Sequence, residues 1–311
     1  MRTAARGCEG AVFSRREAPG DAWDFQPGDE VFPGLHACAP LGAGRRCEMW
    51  LAWSASRWTA VALKVARPSQ RNEPRTRRAL AREATTVASL THPAIQRLLE
   101  PGVEASLPHL VFEYVEGPTL DQMLEHGPMP PGDLVRLGMQ IAGVLRYVHG
   151  RGIVHLDLKP RNIALRDGRV VLLDFDIARR TGEPGGEGRP RGTPPFMAPE
   201  QIRGEPASPS MDLFALGVTL YQAATGVLPF LTTGEGRERV YPQLTTRAEP
   251  LRASNPTIPQ AVEDAILTLM DPDARLRPRT ALDALALLGR ALPDSEEPAW
   301  PVWAERLLPG Q

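Results

Sequence analysis

Apolar positions in this chain follow two periods in turn. From His36 they come as short strand-like runs, and Thr59-Ala60-Val61-Ala62-Leu63-Lys64-Val65 is the clearest. It alternates and carries β-branched residues, which predicts a strand with one face buried. Pro74 to Leu90 then moves to a helical period, with Glu83 as its sole acid. Two more strands are predicted at Ile95 to Leu99 and Pro108 to Tyr114. Beyond them the pattern turns helical. Leu134, Leu137, Ile141, Val144, Leu145 and Val148 recur at spacings of three and four, one face of a long helix. Gly150 and Gly152 end it. Val170-Val171-Leu172-Leu173 reads as a buried strand, Asp212 to Thr225 as an apolar helix, and Pro259 to Met270 and Thr280 to Leu292 as closing helices.

Residues 1–34 are rich in Gly, Pro and charge and predict a loosely ordered lead-in, with Trp23 and Phe25 as anchors on the first domain. Pro293 to Gln311 reads as a tail whose Trp300 and Trp303 pack on the surface. A regulatory role for the lead-in and a partner-peptide role for the tail are the alternatives.

At 311 residues the chain is long enough for one large domain or two modest ones. An apolar content of 42% and a charged content of 23% are ordinary for a globular protein. The net charge of −1 gives no electrostatic reason to expect nucleic acid. Cys8, Cys38 and Cys47 lack metal-ligand spacing and are odd in number, so a reducing compartment is expected. The first twenty residues hold arginines but no apolar h-region, and no run approaches the roughly 18–20 apolar residues a membrane helix needs. A cytoplasmic protein without a membrane segment is expected. Arg71, Arg75, Arg77, Arg78 and Arg82 crowd one stretch and read as a solvated basic face, with docking of an acidic segment as the alternative.

One loop concentrates chemistry. In Val154-His155-Leu156-Asp157-Leu158-Lys159-Pro160-Arg161-Asn162-Ile163 an acid, a base and an amide lie within six positions, between apolar runs. Unpaired buried charge is too costly for all three to be core residues. Of 36 basic residues, Lys64 and Lys159 are the only lysines. A lysine is a compact point charge and an arginine a planar fork, so the two differ beside phosphate oxygens.

This loop resembles the catalytic loop of protein kinases, H-R-D-L-x-x-x-N, with Leu156 in place of the Arg. Other motifs follow in the family's order. Leu41-Gly42-Ala43-Gly44-Arg45-Arg46-Cys47-Glu48-Met49 resembles the Gly-rich loop, with Cys47 at the third glycine. Thr59 to Val65 resembles the V-A-I-K strand, and Phe112-Glu113-Tyr114-Val115 the hinge. Asp174-Phe175-Asp176 stands where kinases have D-F-G. Gly192-Thr193-Pro194-Pro195-Phe196-Met197-Ala198-Pro199-Glu200 resembles the stretch ending in A-P-E, and Asp212 to Gly217 the D-x-x-x-x-G. Thr181 to Arg191 resembles an activation segment.

The chain is thus similar to bacterial Hanks-type serine/threonine protein kinases over residues 35–292. The resemblance implies an α+β, bilobal fold, with a small β-rich N-lobe of about 35–115 holding one helix and a mainly helical C-lobe of about 116–292. It implies transfer of the ATP γ-phosphoryl group to protein Ser or Thr hydroxyls, with Mg²⁺ as cofactor and Mn²⁺ as its alternative. Asp157 would orient the substrate hydroxyl, Lys159 neutralise the transferring group, and Lys64, held by Glu83, fix the α- and β-phosphates. Asn162 and Asp174 would hold two metal ions, and Thr193 would tie the substrate platform to Asp157 and Lys159. Leu41, Gly42, Ala43, Gly44, Met49, Ala62, Lys64, Glu113, Val115 and Ala164 would line the nucleotide, with Phe112 as gatekeeper and backbone groups of Glu113 and Val115 meeting adenine. Arg277 would pair with Glu200. Asp176 is expected to be solvated or bonded to backbone, with contact to the metal as the alternative. With Leu156 in place of Arg, control by a phosphorylated activation segment is not expected. A pseudokinase, favoured by Cys47, Leu156 and Asp176, and a small-molecule phosphotransferase of kinase-like fold are the competing readings.

Overall fold

The alternating stretch at Thr59 to Val65 lies inside a six-stranded sheet. The computed structural model describes residues 21–185 and 190–292, the side chain of Arg237 excepted. They divide into two compact units, one up to Glu116 together with Asp174–Asp176, the other formed by Gly117–Leu173 and the residues from Ile177 onward. Cys8, the first twenty residues and the tail with Trp300 and Trp303 lie outside the described residues.

In the first unit, β1 (Glu30–Phe32), β2 (Leu35–Ala43), β3 (Cys47–Ser54), β4 (Thr59–Ala66), β5 (Leu98–Gly102) and β6 (His109–Glu113) run in the order β1-β2-β3-β4-β6-β5. All neighbours are antiparallel. Alternate residues share a face, so Leu35, Ala37, Trp50, Ala52, Val61, Leu63 and Val65 gather on one side and pack with Val111. Helix α1 (Pro74–Ala88) starts with Pro at its first position, where the missing N–H leaves nothing unsatisfied. It buries Thr76, Leu80, Glu83, Ala84 and Val87, while Arg71, Arg75, Arg78 and Arg82 are exposed, as a solvated face requires.

Two expectations change here. The strand expected at Ile95 to Leu99 begins three residues later. Ile95 is buried, but its N–H closes a turn onto the His92 carbonyl at 3.1 Å. Pro101 lies in β5 instead, which is tolerated because β5 is the sheet edge. The lead-in is also less loose than expected where it is described. Beyond β1, the Trp23 indole donates to the Ala66 carbonyl at 2.8 Å and stacks on Phe25, whose ring meets Trp50 edge-on.

The second unit holds α2 (Leu120–Leu124), α3 (Pro131–Gly150), the short strands β7 (Ile153–Val154), β8 (Ile163–Arg166), β9 (Arg169–Leu172) and β10 (Arg179–Arg180), and then α4 (Pro199–Ile202), α5 (Pro209–Thr225), α6 (Leu251–Ser254), α7 (Gln260–Leu269) and α8 (Ala281–Arg290). The six apolar residues that predicted the long helix are all buried on α3. It packs against α5 and α8 closely enough that a Cβ on Gly138 would come within 2.9 Å of Leu220 and 3.0 Å of Leu288. Among the described residues no helix is long and apolar enough to cross a membrane.

Candidate active site

β7 delivers the chain to the loop that holds Asp157. Its Oδ1 accepts from the Thr193 N–H at 2.9 Å and the Thr193 hydroxyl at 2.7 Å. Its Oδ2 accepts from Lys159 Nζ at 2.6 Å and Asn162 Nδ2 at 3.2 Å. Lys159 also donates to Thr193 Oγ1 at 2.7 Å. Three of the residues singled out by sequence therefore converge on the carboxylate of a fourth. A carboxylate receiving several donors is fixed in direction.

The loop keeps its shape through residues to which the sequence reading gave no role. Leu156 has φ 67°, a left-handed conformation that disfavours a branched side chain. Asp212, fully buried at the start of α5, compensates: its carboxylate accepts from the backbone N–H of His155 and of Leu156, each at 2.8 Å, and contacts His149 Nε2 at 2.8 Å. Burial alone would raise the Asp212 pKa, but the bonds to His149 and His155 outweigh it and hold the carboxyl below its ordinary value. Gln201 Nε2 donates to the carbonyls of Leu156 and Arg191, and Gln243 Nε2 to those of Pro194 and Met197. The available signal was an acid opening an otherwise apolar helix.

In the first unit Lys64 Nζ, on β4, donates to both oxygens of Glu83 on α1 at 2.8 Å and to Asp174 Oδ1 at 2.8 Å. Burial opposes the lysine charge, but Asp174 and Glu83 more than offset it and push its pKa well above the ordinary value. Burial raises the Glu83 carboxyl, with Lys64 pulling the other way. Asp174 has φ 57°, one of the few left-handed non-glycine residues, and Asp tolerates that region better than most.

Leu41, Gly42 and Ala43 end β2, and Met49 on β3 pairs with Gly42. Nothing lies within 4 Å of where a Gly42 Cβ would stand, and its φ of 159° suits glycine, so the backbone is open to a close ligand. Gly44 follows, its N–H bonded to the Cys47 carbonyl at 2.8 Å. Ala62 is buried on β4 and, in the second unit, Ala164 is buried on β8 beside Thr119. Glu113 ends β6. Its N–H donates to the Arg97 carbonyl, and its carbonyl accepts from Gln96 Nε2, each at 2.9 Å. Val115, two residues on, is buried.

Two departures from the family pattern acquire physical content. Asp176 is part-exposed, and in place of the expected backbone bond both its oxygens accept from Arg46 Nη2, at 2.9 and 2.7 Å, because the Gly-rich loop brings a cation to it. Cys47 is half-buried, and desolvation pushes its thiol up to about 12, with Lys64 pulling down and Glu83 and Asp176 reinforcing the rise. Thiolate is the reactive form. Cys47 is therefore expected to resist iodoacetamide at pH 8 in the folded protein and to react readily in urea, as mass spectrometry would show; equal rates in both would contradict the burial.

Each unit carries an oxygen donor of the kind Mg²⁺ takes. In the second unit Asn162 commits its Nδ2 to the Asp157 carbonyl at 2.9 Å, leaving the amide oxygen as the end to offer; in the first unit Asp174 has a carboxylate whose side chain is 40% exposed. Among the described residues no cluster of three or more His, Cys, Asp or Glu forms a cage. Mg²⁺ commonly takes one or two protein oxygens and completes its shell with water and phosphate.

Comparison with known proteins agrees with this geometry. The family model described as "Protein kinase domain" matches residues 35–286. The serine/threonine-protein kinase pkn2 of Myxococcus xanthus is 35% identical over 269 residues, covering 81% of this chain and 32% of pkn2. PrkC of Bacillus subtilis, also named a serine/threonine-protein kinase, is 32% identical over 248 residues, covering 78% of this chain and 38% of PrkC. The chain thus spans about a third of the length of these curated relatives. Among solved structures, the kinase domain of Mycobacterium tuberculosis PknI shares the fold, with a TM-score of 0.65 at 22% identity over 86% of this chain and 98% of that one.

Proposed function

Because the chain belongs to the protein kinase family, alongside bacterial serine/threonine kinases, we propose that it transfers the γ-phosphoryl group of cytoplasmic ATP to Ser or Thr hydroxyls of proteins. The observation that carries this is the Asp157 carboxylate, aimed by Thr193, Lys159 and Asn162. The transition state of phosphoryl transfer spreads charge over the equatorial oxygens, so positioned cations and an oriented nucleophile supply most of the catalysis. Asp157 would orient the incoming hydroxyl and accept its proton. Lys159, already beside Asp157 and Thr193, would offset charge on the transferring group. Lys64, kept charged and in place by Glu83, would bind the α- and β-phosphates. Asn162 and Asp174 would hold Mg²⁺, which would supply positive charge to offset that of the phosphates. Leu41, Gly42, Ala43, Gly44, Met49, Ala62, Glu113, Val115 and Ala164 would line the nucleotide.

The test is transfer of radiolabelled γ-phosphate by the purified chain with Mg²⁺, to itself and to a generic basic protein. Label on Ser or Thr is expected. Label found solely on a small metabolite would overturn the substrate class, and nucleotide binding without any transfer would leave a pseudokinase.

Leu156 bears on regulation. Its side chain is apolar and buried, and its backbone is committed to Asp212, so it cannot pair with a phosphate. From Phe175 to Gly192, Thr181 is the only hydroxyl. We therefore expect Thr181→Ala to keep activity within about twofold, since no arginine at position 156 awaits its phosphate. A phosphorylated Thr181 whose replacement lowered kcat about tenfold or more would refute this.

A further inference from the structure

We propose that Arg46 is an additional phosphate ligand of the nucleotide site, held in reserve by Asp176. This rests on ATP being the substrate and concerns how the chain grips it. Arg46 lies in the turn between β2 and β3, between Gly44 and Cys47. A single terminal nitrogen, Nη2, serves both Asp176 oxygens. Among the described residues, Nε and Nη1 of Arg46 make no hydrogen bond, so the guanidinium has donors to spare. The pair is part-exposed, at 30% and 27% of the side-chain surface, so its hold is limited by solvent.

The loop does not depend on that pair for its shape. Arg67 Nε donates to the Gly44 carbonyl at 2.7 Å, the Arg67 N–H to the Arg46 carbonyl at 2.9 Å, and Arg67 Nη1 reaches back to the Asp21 carbonyl at 2.5 Å. The Gly44 N–H bonds the Cys47 carbonyl. With the backbone pinned by Arg67, moving the Arg46 guanidinium is a change of rotamer and not an opening of the loop.

Charge gives the direction of exchange. Within the first unit Lys64 and Arg46 face three carboxylates, Glu83, Asp174 and Asp176, linked by direct ion pairs. A nucleotide triphosphate beneath Gly42 adds several more negative charges to a group already short of cations. The Arg fork matches phosphate oxygens and can bond them in pairs. Asp176 competes for the same fork and also repels the phosphates. The two side chains therefore act in opposite senses on nucleotide affinity, whereas a mere structural pin would make them act in the same sense.

The experiment is calorimetric binding of ATP and adenosine to the whole chain in EDTA, so that no metal can report through Asp176. Arg46→Ala is expected to weaken ATP about tenfold and leave adenosine within about twofold. Asp176→Asn is expected to tighten ATP about threefold or more, with Asp176→Gly as a second charge-removing variant should the first melt early. In the Arg46→Ala background Asp176→Asn should tighten ATP less than it does in the wild-type background, because without Arg46 only the direct repulsion of the phosphates is relieved. Single variants that shift ATP in the same direction, or that shift adenosine as much as ATP, would overturn the proposal and leave the pair a structural pin. A wild-type chain that bound neither nucleotide nor adenosine would instead overturn the function on which it rests.

Discussion

Replacing Asp157 with Asn should lower kcat for phosphotransfer by about 10²- to 10⁴-fold, the usual contribution of a positioned acid–base group. Affinity for nucleotide should hardly move. The substitution keeps shape and removes charge, and Asp157 belongs to the loop that meets the hydroxyl, whereas the groups assigned to the phosphates, Lys64 and Glu83, are built elsewhere in the chain. Stability should fall by on the order of 1 kcal/mol, because an amide nitrogen would face either Lys159 or Thr193, donors that the carboxylate now accepts from. A drop of about three powers of ten in rate corresponds to roughly 4 kcal/mol of transition-state stabilisation, well above that folding term. The measurement is single-turnover transfer beside a thermal melt. A variant retaining more than about a tenth of the rate would remove Asp157 from the proton-accepting role. A variant whose rate loss tracked its unfolding would assign it to structure alone.

The residues most legible in sequence are those whose roles depend on short spacing or on a rare residue type. Asp157, Lys159 and Asn162 fall within one loop, so their convergence needed no knowledge of distant packing. Lys64 stood out as one of two lysines, and Glu83 as the sole acid of its helix; the structure joins them at 2.8 Å. The helical face of α3 was legible because burial imposes a period, and every residue of the pattern is buried. Hidden from sequence were the contacts across long separations. Asp212 follows the loop it supports by more than fifty residues, and the pairing of Arg46 with Asp176 spans 130 positions. The acid opening α5 was visible in sequence but its partners in the loop were not, and the Arg46–Asp176 pair leaves no local pattern. β5 was misplaced because Ile95 is buried without being in a strand, and apolar runs of that length do not distinguish a plug from an edge strand. Trp23 and Phe25 were readable as anchors, but β1 was not: three residues are too few to show alternation.

The same logic makes Glu200 the most exposed point of the fold to a single change. Arg277 was expected to pair with it, and the structure shows how much else depends on the guanidinium. Nη1 and Nη2 meet the two Glu200 oxygens at 2.6 and 3.0 Å, Nε holds the Asp271 carbonyl at 2.7 Å, and Nη1 also reaches the Ser210 carbonyl at 3.0 Å. The guanidinium lies 4.9 Å from the centre of the Phe214 ring. The Arg277 side chain is completely buried and that of Glu200 only 7% exposed. Glu200→Ala would leave that cation buried with neutral partners alone, the Asp271 and Ser210 carbonyls and the Ser210 hydroxyl. Breaking a buried pair from one side costs about 3–5 kcal/mol, because the remaining charge is neither hydrated nor paired. For a domain of this size that corresponds to a fall in Tm of roughly 10 °C. Replacing both members, Glu200→Leu with Arg277→Met, should recover much of the loss, since no charge is then stranded; the unsatisfied Asp271 and Ser210 carbonyls should keep the recovery incomplete. Denaturant titration of the three variants separates the terms. If Glu200→Ala cost less than about 1 kcal/mol, the pair would be behaving as a surface ion pair despite its burial. Activity should fall with stability, because Glu200 begins the helix α4 whose Gln201 holds the carbonyls of Leu156 and Arg191, one on each side of the segment that presents Thr193 to Asp157. The anchor and the Asp157 carboxylate are thus joined through α4, and loss of the first should loosen the second before the unit unfolds.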